Sequence, residues 1–256
     1  MFECKLNDAQ LLRKVVECIR ELIKEGRFEV SQNGLSLQGI DSSFVALIQL
    51  TLRASGFDSF HTDKPMLLGL QLEQFCKVLR CASLNDSITL QAQDPGDKLN
   101  ITLQSKDDDR ISNFVVRLID IDAETFTIPS KTYNCVVKMP SSEFQRIVRE
   151  LSGLSDTVGI EISQDGITFS SDSHQSSGKI QLKPSTLEDG QKVQVKAEKP
   201  ITQFFALRYL LSVAKGCTIS DSVVLMIAND IPLVCEYKVE NLGNLRFYIA
   251  PKIEED

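Results

Sequence analysis

The segment Phe28 to Leu37, FEVSQNGLSL, returns at Ile160 to Phe169 as IEISQDGITF, 132 positions later. The offset holds without a gap from Leu12 opposite Phe144 through Ile48-Gln49-Leu50 opposite Ile180-Gln181-Leu182. The match resumes at an offset of 135, where Leu72, Phe75, Val78, Arg80, Asp86, Ser87 and Leu90 face Leu207, Leu210, Val213, Lys215, Asp221, Ser222 and Leu225. The copies cover residues 1 to 117 and 135 to 256, with 118 to 134 connecting them. So long a period does not build a solenoid; it builds two similar domains, each large enough for its own core.

With 256 residues, 42% hydrophobic and 25% charged, the composition is that of a soluble globular protein. No apolar run approaches the roughly 18 residues of a membrane span, and the N-terminal MFECKLNDAQ has no signal-peptide core, so the expected location is inside the cell with no membrane partner. The seven cysteines are odd in number and sit mostly in apolar patterns, as reduced core thiols do. Cys76 and Cys81 are not a CxxC pair, and His61 and His174 lie apart from them, so neither a metal site nor a cofactor is expected.

The net charge of -7 argues against a nucleic-acid partner until its distribution is considered. Helical periodicity predicts four helices, at 9 to 24, 71 to 81, 141 to 151 and 203 to 215. The first buries Leu12, Val15, Val16, Ile19, Leu22 and Ile23; the second Leu72, Phe75, Val78 and Leu79; the third, with Ser141 as its expected N-cap, Phe144, Ile147, Val148 and Leu151; the fourth Phe204, Leu207, Leu211 and Ala214. These segments hold ten Lys+Arg against five Asp+Glu, leaving eighteen against thirty elsewhere. A charged outer face is ordinary for one helix, but four helices of which none is net negative give a local positive field on an acidic body.

Between the helices, short alternating runs are separated by turn signals. Asn33-Gly34 and Asp165-Gly166 are expected as the two central residues of hairpin turns, with Asp94-Pro95-Gly96-Asp97 and Asn229-Asp230 closing others. Two helices and eight or nine strands per copy imply α+β layers, antiparallel sheets with helices on one face. The runs RISNFVVR (Arg110 to Arg117) and SGKIQLK (Ser177 to Lys183) are strands which, if they lie at sheet edges, are able to pair with another chain. An edge at each end of a two-domain subunit is head-to-tail geometry, which closes into a ring when the rotation permits.

The stretches GIDSSFVALIQLTLRASGFD (39 to 58), CVVKMPSSEF (135 to 144), FALRYLLSVAK (205 to 215), IPLVCEYKV (231 to 239) and the terminal APKIEED resemble the eukaryotic DNA sliding-clamp family, end to end. The resemblance implies a nuclear homotrimer whose six domains ring duplex DNA and serve replication and repair as a polymerase processivity factor. It implies that Arg13, Lys14, Arg20, Lys77, Arg80, Arg110, Lys138, Arg146, Arg149, Arg208 and Lys215 face phosphates without reading sequence. It implies a subunit interface at Arg110, Ile111, Asn113 and Phe114 against Ser177, Gly178, Lys179 and Ile180. Residues 118 to 134 correspond to the family's interdomain connecting loop. The corresponding client-peptide groove contains Ile40, Asp41, Phe44, Val45, Leu47, Ile119, Ile121, Phe126, Ile128, Pro129, Pro232, Tyr248, Ala250 and Pro251. Its implied clients are peptides of DNA polymerase, flap nuclease, DNA ligase and the clamp loader. Gln164 stands where many relatives carry a ubiquitin-accepting lysine, and Phe44 where animal proteins have histidine.

Two other readings remain. A subunit of a heterotrimeric checkpoint-type clamp would share the fold and the helix charges. A metal-dependent nucleic-acid enzyme would need Asp107-Asp108-Asp109, or Asp120 with Asp122, as ligands, yet no histidine or glycine-rich phosphate loop accompanies them.

Overall fold

A computed structural model describes residues 1–107, 109–122, 126, 132–184, 192–229 and 231–252. The chain divides into two units: Met1–Ser42, Ile48–Thr127 and Val239–Leu245 form the first, and Ser43–Leu47, Ile128–Lys238 and Arg246–Asp256 the second.

The first copy folds as β1 (Phe2–Leu6), α1 (Ala9–Arg20), β2 (Glu25–Ser31), β3 (Gly34–Ile40), β4 (Ala46–Arg53), β5 (Ser59–Thr62), β6 (Met66–Gln71), α2 (Leu72–Leu79), β7 (Ser87–Ala92), β8 (Lys98–Gln104) and β9 (Ile111–Arg117). One antiparallel sheet runs β5-β1-β7-β8-β9, and β4, β3, β2 and β6 are consecutive neighbours in another. The second copy repeats the plan as β10 (Cys135–Pro140), α3 (Ser141–Ser152), β11 (Thr157–Ser163), β12 (Gly166–Asp172), β13 (Ser177–Leu182), β14 (Gln194–Ala197), β15 (Ile201–Ala206), α4 (Leu207–Val213), β16 (Ser222–Ile227), β17 (Leu233–Val239) and β18 (Gly243–Ile249). Here β13-β12-β11-β15 form one sheet, and β14, β10, β16 and β17 lie in sequence in another.

The repeat is present atom by atom. Phe28 pairs with Leu37 and Ser31 with Gly34, as Ile160 pairs with Phe169 and Ser163 with Gly166. The first amide of α1 donates to Asp86 O and that of α3 to Asp221 O, each at 2.9 Å; those of α2 and α4 donate to Lys24 O and Asp156 O, again at 2.9 Å. Apolar stripes then bury the helices: Leu12, Val15, Val16 and Ile19 in α1, Phe144, Ile147, Val148 and Leu151 in α3. Each such side chain contributes roughly 1.5–3 kcal/mol when fully buried.

Several boundaries differ from expectation. The hairpin turns are centred one residue earlier, on Gln32-Asn33 and Gln164-Asp165, because Gly34 and Gly166 already open the next strands at φ +135° and +139°. A Cβ there would sit 2.0 Å from Leu52 O or 2.1 Å from Leu182 O, so glycine is required by close approach rather than as the second turn residue. The Asn33 and Asp165 amides donate to the Oγ of Ser31 and Ser163. Helix α1 ends at Arg20, leaving Leu22 and Ile23 in the connection to β2. Its cap is Asp8, whose carboxylate accepts from the amides of Gln10 and Leu11 at 2.8 and 3.1 Å. Ser141 is not a cap: Pro140 occupies that position, and the Ser141 hydroxyl, buried, bonds to Ser220 O. Helix α4 starts at Leu207, because residues 201 to 206 pair with β11, and a 3-10 turn, Ala214–Thr218, follows it. Phe204 is therefore a strand residue, and α4 buries Tyr209, Leu210 and Val213 while leaving Leu211 exposed. Val78 is only half-buried in α2.

Candidate functional site

The cationic residues differ in how far carboxylates hold them. In the first unit Arg13 and Arg80 share Glu17, at 3.4 and 2.8 Å, which ties α1 to α2. Burial raises the Glu17 pKa, but the two guanidinium groups overcome it and the net shift is downward. Lys77 lies 3.0 Å from Glu73, one helical turn before it, and Arg20 is half-buried. Lys14 is exposed and has no ion-pair partner among the described residues.

In the second unit the Arg146 guanidinium lies between Glu143 and Glu150, with Nε 3.0 Å from Glu143 Oε2 and Nη1 2.8 Å from Glu150 Oε1. The hydrogen bond from Arg146 holds the Glu143 pKa below its ordinary value. Arg149, one turn on, is exposed and carries no such partner among the described residues. The Arg208 guanidinium stacks 4.8 Å over the Tyr209 ring, and Lys215 is exposed on the 3-10 turn. Two of the residues expected to face phosphates stand outside the helices. Lys138 is on β10, its side chain on the opposite face from buried Val137 and Met139. Arg110 donates to Ser83 Oγ at 2.9 Å and to the buried Asp86 Oδ2 at 2.7 Å, a structural anchor just before β9.

The strand order answers the question of edges. Among the described residues, strand β9 pairs with β8 alone and β13 with β12 alone, so each is the edge of its sheet. On β9, Ile111, Asn113 and Val115 are exposed and Phe114 is half-buried; on β13, Ser177 and Lys179 are exposed, while Gly178 and Ile180 are half-buried. A Cβ on Gly178 would meet Leu154 at 2.7 Å, so glycine lets β13 approach the end of α3.

The apolar groove residues fall in both units. In the first, Ile40 is half-buried at the end of β3, and Asp41 is buried at 6% exposure rather than open to solvent. Ile119 donates from its amide to Gly69 O at 2.9 Å, Ile121 is half-buried, and the Phe126 amide donates to Gln38 Oε1 at 3.1 Å. In the second, Ala250 N donates to Val45 O at 2.9 Å and Lys252 N to Phe204 O at 2.7 Å, pinning the tail on both sides. Leu47 and Pro251 are half-buried, Pro232 is exposed and Tyr248 is buried. Phe44 is 74% exposed at φ +58°, a left-handed conformation uncommon for an aromatic residue. Ile128 and Pro129 lie outside the described residues, as do Asp108 and Asp230. Tyr133 carries no sequence signal beyond its place in the connecting segment; its burial, with a further contribution from Tyr248, raises its hydroxyl pKa.

A duplicated unit of antiparallel sheets, with two helices per copy whose segments hold more cations than carboxylates on an otherwise acidic chain, is the architecture of a DNA sliding clamp. Two family models divide the chain between them: the proliferating cell nuclear antigen N-terminal domain matches residues 1–126 and the C-terminal domain residues 127–252. The chain belongs to the proliferating cell nuclear antigen family. That family comprises non-enzymatic clamps that act on DNA as scaffolds, and no catalytic family is indicated.

Proposed function

We propose that three copies of this chain close head to tail into a ring around duplex DNA, with β9 of one subunit pairing with β13 of the next. The supporting observation is an equivalence of strands. β9 spans Ile111–Arg117 and β18 spans Gly243–Ile249, the same element 132 residues on. β13, at Ser177–Leu182, likewise corresponds to β4, at Ala46–Arg53. β4 and β18 are neighbours within one sheet. Pairing β13 with β9 between chains therefore repeats a junction that the fold already makes once within the chain, and a repeated junction is what a closed ring requires.

In such a ring the helix cations face phosphates. Non-specific contacts of this kind hold DNA at only about 10⁻⁴ to 10⁻⁶ M, weak enough to slide, so closure rather than affinity keeps the clamp on the duplex. The apolar residues around Phe44, the connecting segment and the Ala250-Pro251 tail take short peptides from replicative polymerase, flap nuclease, ligase and clamp loader, which makes the clamp a processivity factor and recruitment platform in the nucleus. Sedimentation equilibrium at micromolar concentration tests the assembly: a mass of three chains is expected, reduced to one chain by Val115→Lys at the β9 edge. A stable wild-type monomer overturns the ring.

A further inference from the structure

A second strand edge in the first unit is half covered by the chain itself and half open. Strand β6 pairs with β2 on one side, Glu29 opposite Leu67 and Arg27 opposite Gly69. On its other side Ile119 N donates to Gly69 O at 2.9 Å, and a Cβ on Gly69 would lie 2.1 Å from Ile119 O. Residue 118 is fixed too, its amide donating to Asp97 O at 2.8 Å in the turn between β7 and β8. The connecting segment thus covers β6 at Gly69.

Because Gly69 O points away from β2, the N–H and C=O of Leu67, two residues earlier, point the same way. Neither has a recorded partner among the described residues, and the Leu67 side chain is 61% exposed. Beside it lies a groove of about 550 Å³ walled by Pro65, Gln93, Asp94 and Leu118 and floored by Glu29 and Leu67. The charged residues lining it are Glu29 and Asp94, both carboxylates. Arg27, largely buried, lies 3.6 Å from Glu29, and Lys64 lies 2.8 Å from Asp94 on the surface, where such a pair is weak and exchanges readily.

We infer that this groove is a docking site for an extended peptide strand carrying an apolar side chain between basic neighbours: its main chain pairs with Leu67, continuing along β6 the cover begun at Ile119, its apolar side chain enters the groove, and its cations meet Glu29 and Asp94. Main-chain pairing supplies affinity and the alternate side chains supply selection, the division of labour in strand-addition sites. The lining of the groove includes no residue of β9 or β13 and none of the peptide-groove residues named above, of which Ile119 only marks where the existing cover begins, so the site stands whether or not the ring forms.

The test is an NMR titration of the full-length protein with three blocked peptides of about seven residues, an ordinary strand length. One alternates Lys and Ile, one alternates Glu and Ile, and the third is the Lys-Ile peptide N-methylated on the edge facing the protein. The Lys-Ile peptide is expected to shift the amides of Leu67, Gln93 and Asp94 and to bind at least about tenfold tighter than the other two, with Glu29→Lys removing that preference. Equal binding of the three, shifts at Ile111 or Lys179 instead, or no shift at millimolar peptide overturns the assignment.

Discussion

Arg146 and Arg149 lie one turn apart on the same helix, but only Arg149 lacks a carboxylate neighbour among the described residues. The cluster of Arg146 with Glu143 and Glu150 carries a net charge of -1. Changing Glu143→Gln and Glu150→Gln together leaves the geometry in place and turns the cluster to +1, freeing one guanidinium for phosphate. Arg149→Ala instead removes a cation that has no carboxylate partner among the described residues. Each phosphate contact steepens the dependence of log K on log salt by about 0.9 and contributes about eightfold in affinity at 0.1 M salt. Per engaged subunit, the double glutamine variant is therefore expected to gain about 0.9 in slope and Arg149→Ala to lose about 0.9. The two should differ by about sixtyfold in affinity at 0.1 M salt. Fluorescence anisotropy on a short linear duplex between about 50 and 200 mM salt reads both quantities. Identical slopes for wild type and both variants would refute the assignment of α3 to the DNA-facing surface.

Gly34→Ala and Gly166→Ala should each destabilise the fold by at least about 1–3 kcal/mol, since both φ angles lie where alanine is strained and the new Cβ meets a carbonyl oxygen; an unchanged thermal midpoint for either would show that the turn relaxes. Glu17 has a lowered folded pKa, so its contribution to linking α1 and α2 is present above its ordinary value of 4.5 and is lost as pH falls through the lower folded value. Glu17→Gln should therefore flatten stability against pH in that acidic window, and urea midpoints whose pH dependence matches wild type would count against it. Burial pushes the Cys4 thiol up to about 12, and buries Cys235 fully, whereas Cys81 is exposed. A thiol reagent near pH 8 should label Cys81 in the native protein and reach Cys4 and Cys235 only on unfolding, when its peptide map would show all three; native labelling of Cys235 would contradict the packing.

What could be read from residue order alone was whatever carried a local signal. The duplication, the apolar stripes of α1 and α3 and the excess of cations on the helices needed only spacing. The local preference of Asn-Gly puts the turn one position late, while the actual constraint on Gly34 is the carbonyl of Leu52, eighteen residues away in sequence. The run from Ile201 to Ala214 is apolar at both strand and helix spacing, and pairing with β11 decides that its first six residues are strand. Asp41 shows the same limit from the other side: an acidic residue looks exposed in the sequence, and its burial depends on neighbours brought by the fold. The edges are the strongest case. Nothing in RISNFVVR or SGKIQLK distinguishes an edge from a central strand, since that property belongs to the sheet order. Once the order is known, the duplication gains a further meaning, because β9 and β13 are the copies of β18 and β4, which are already neighbours in the chain. The sequence repeat thus accounts for two domains, and the strand order is the ground on which pairing of β9 with β13 is proposed.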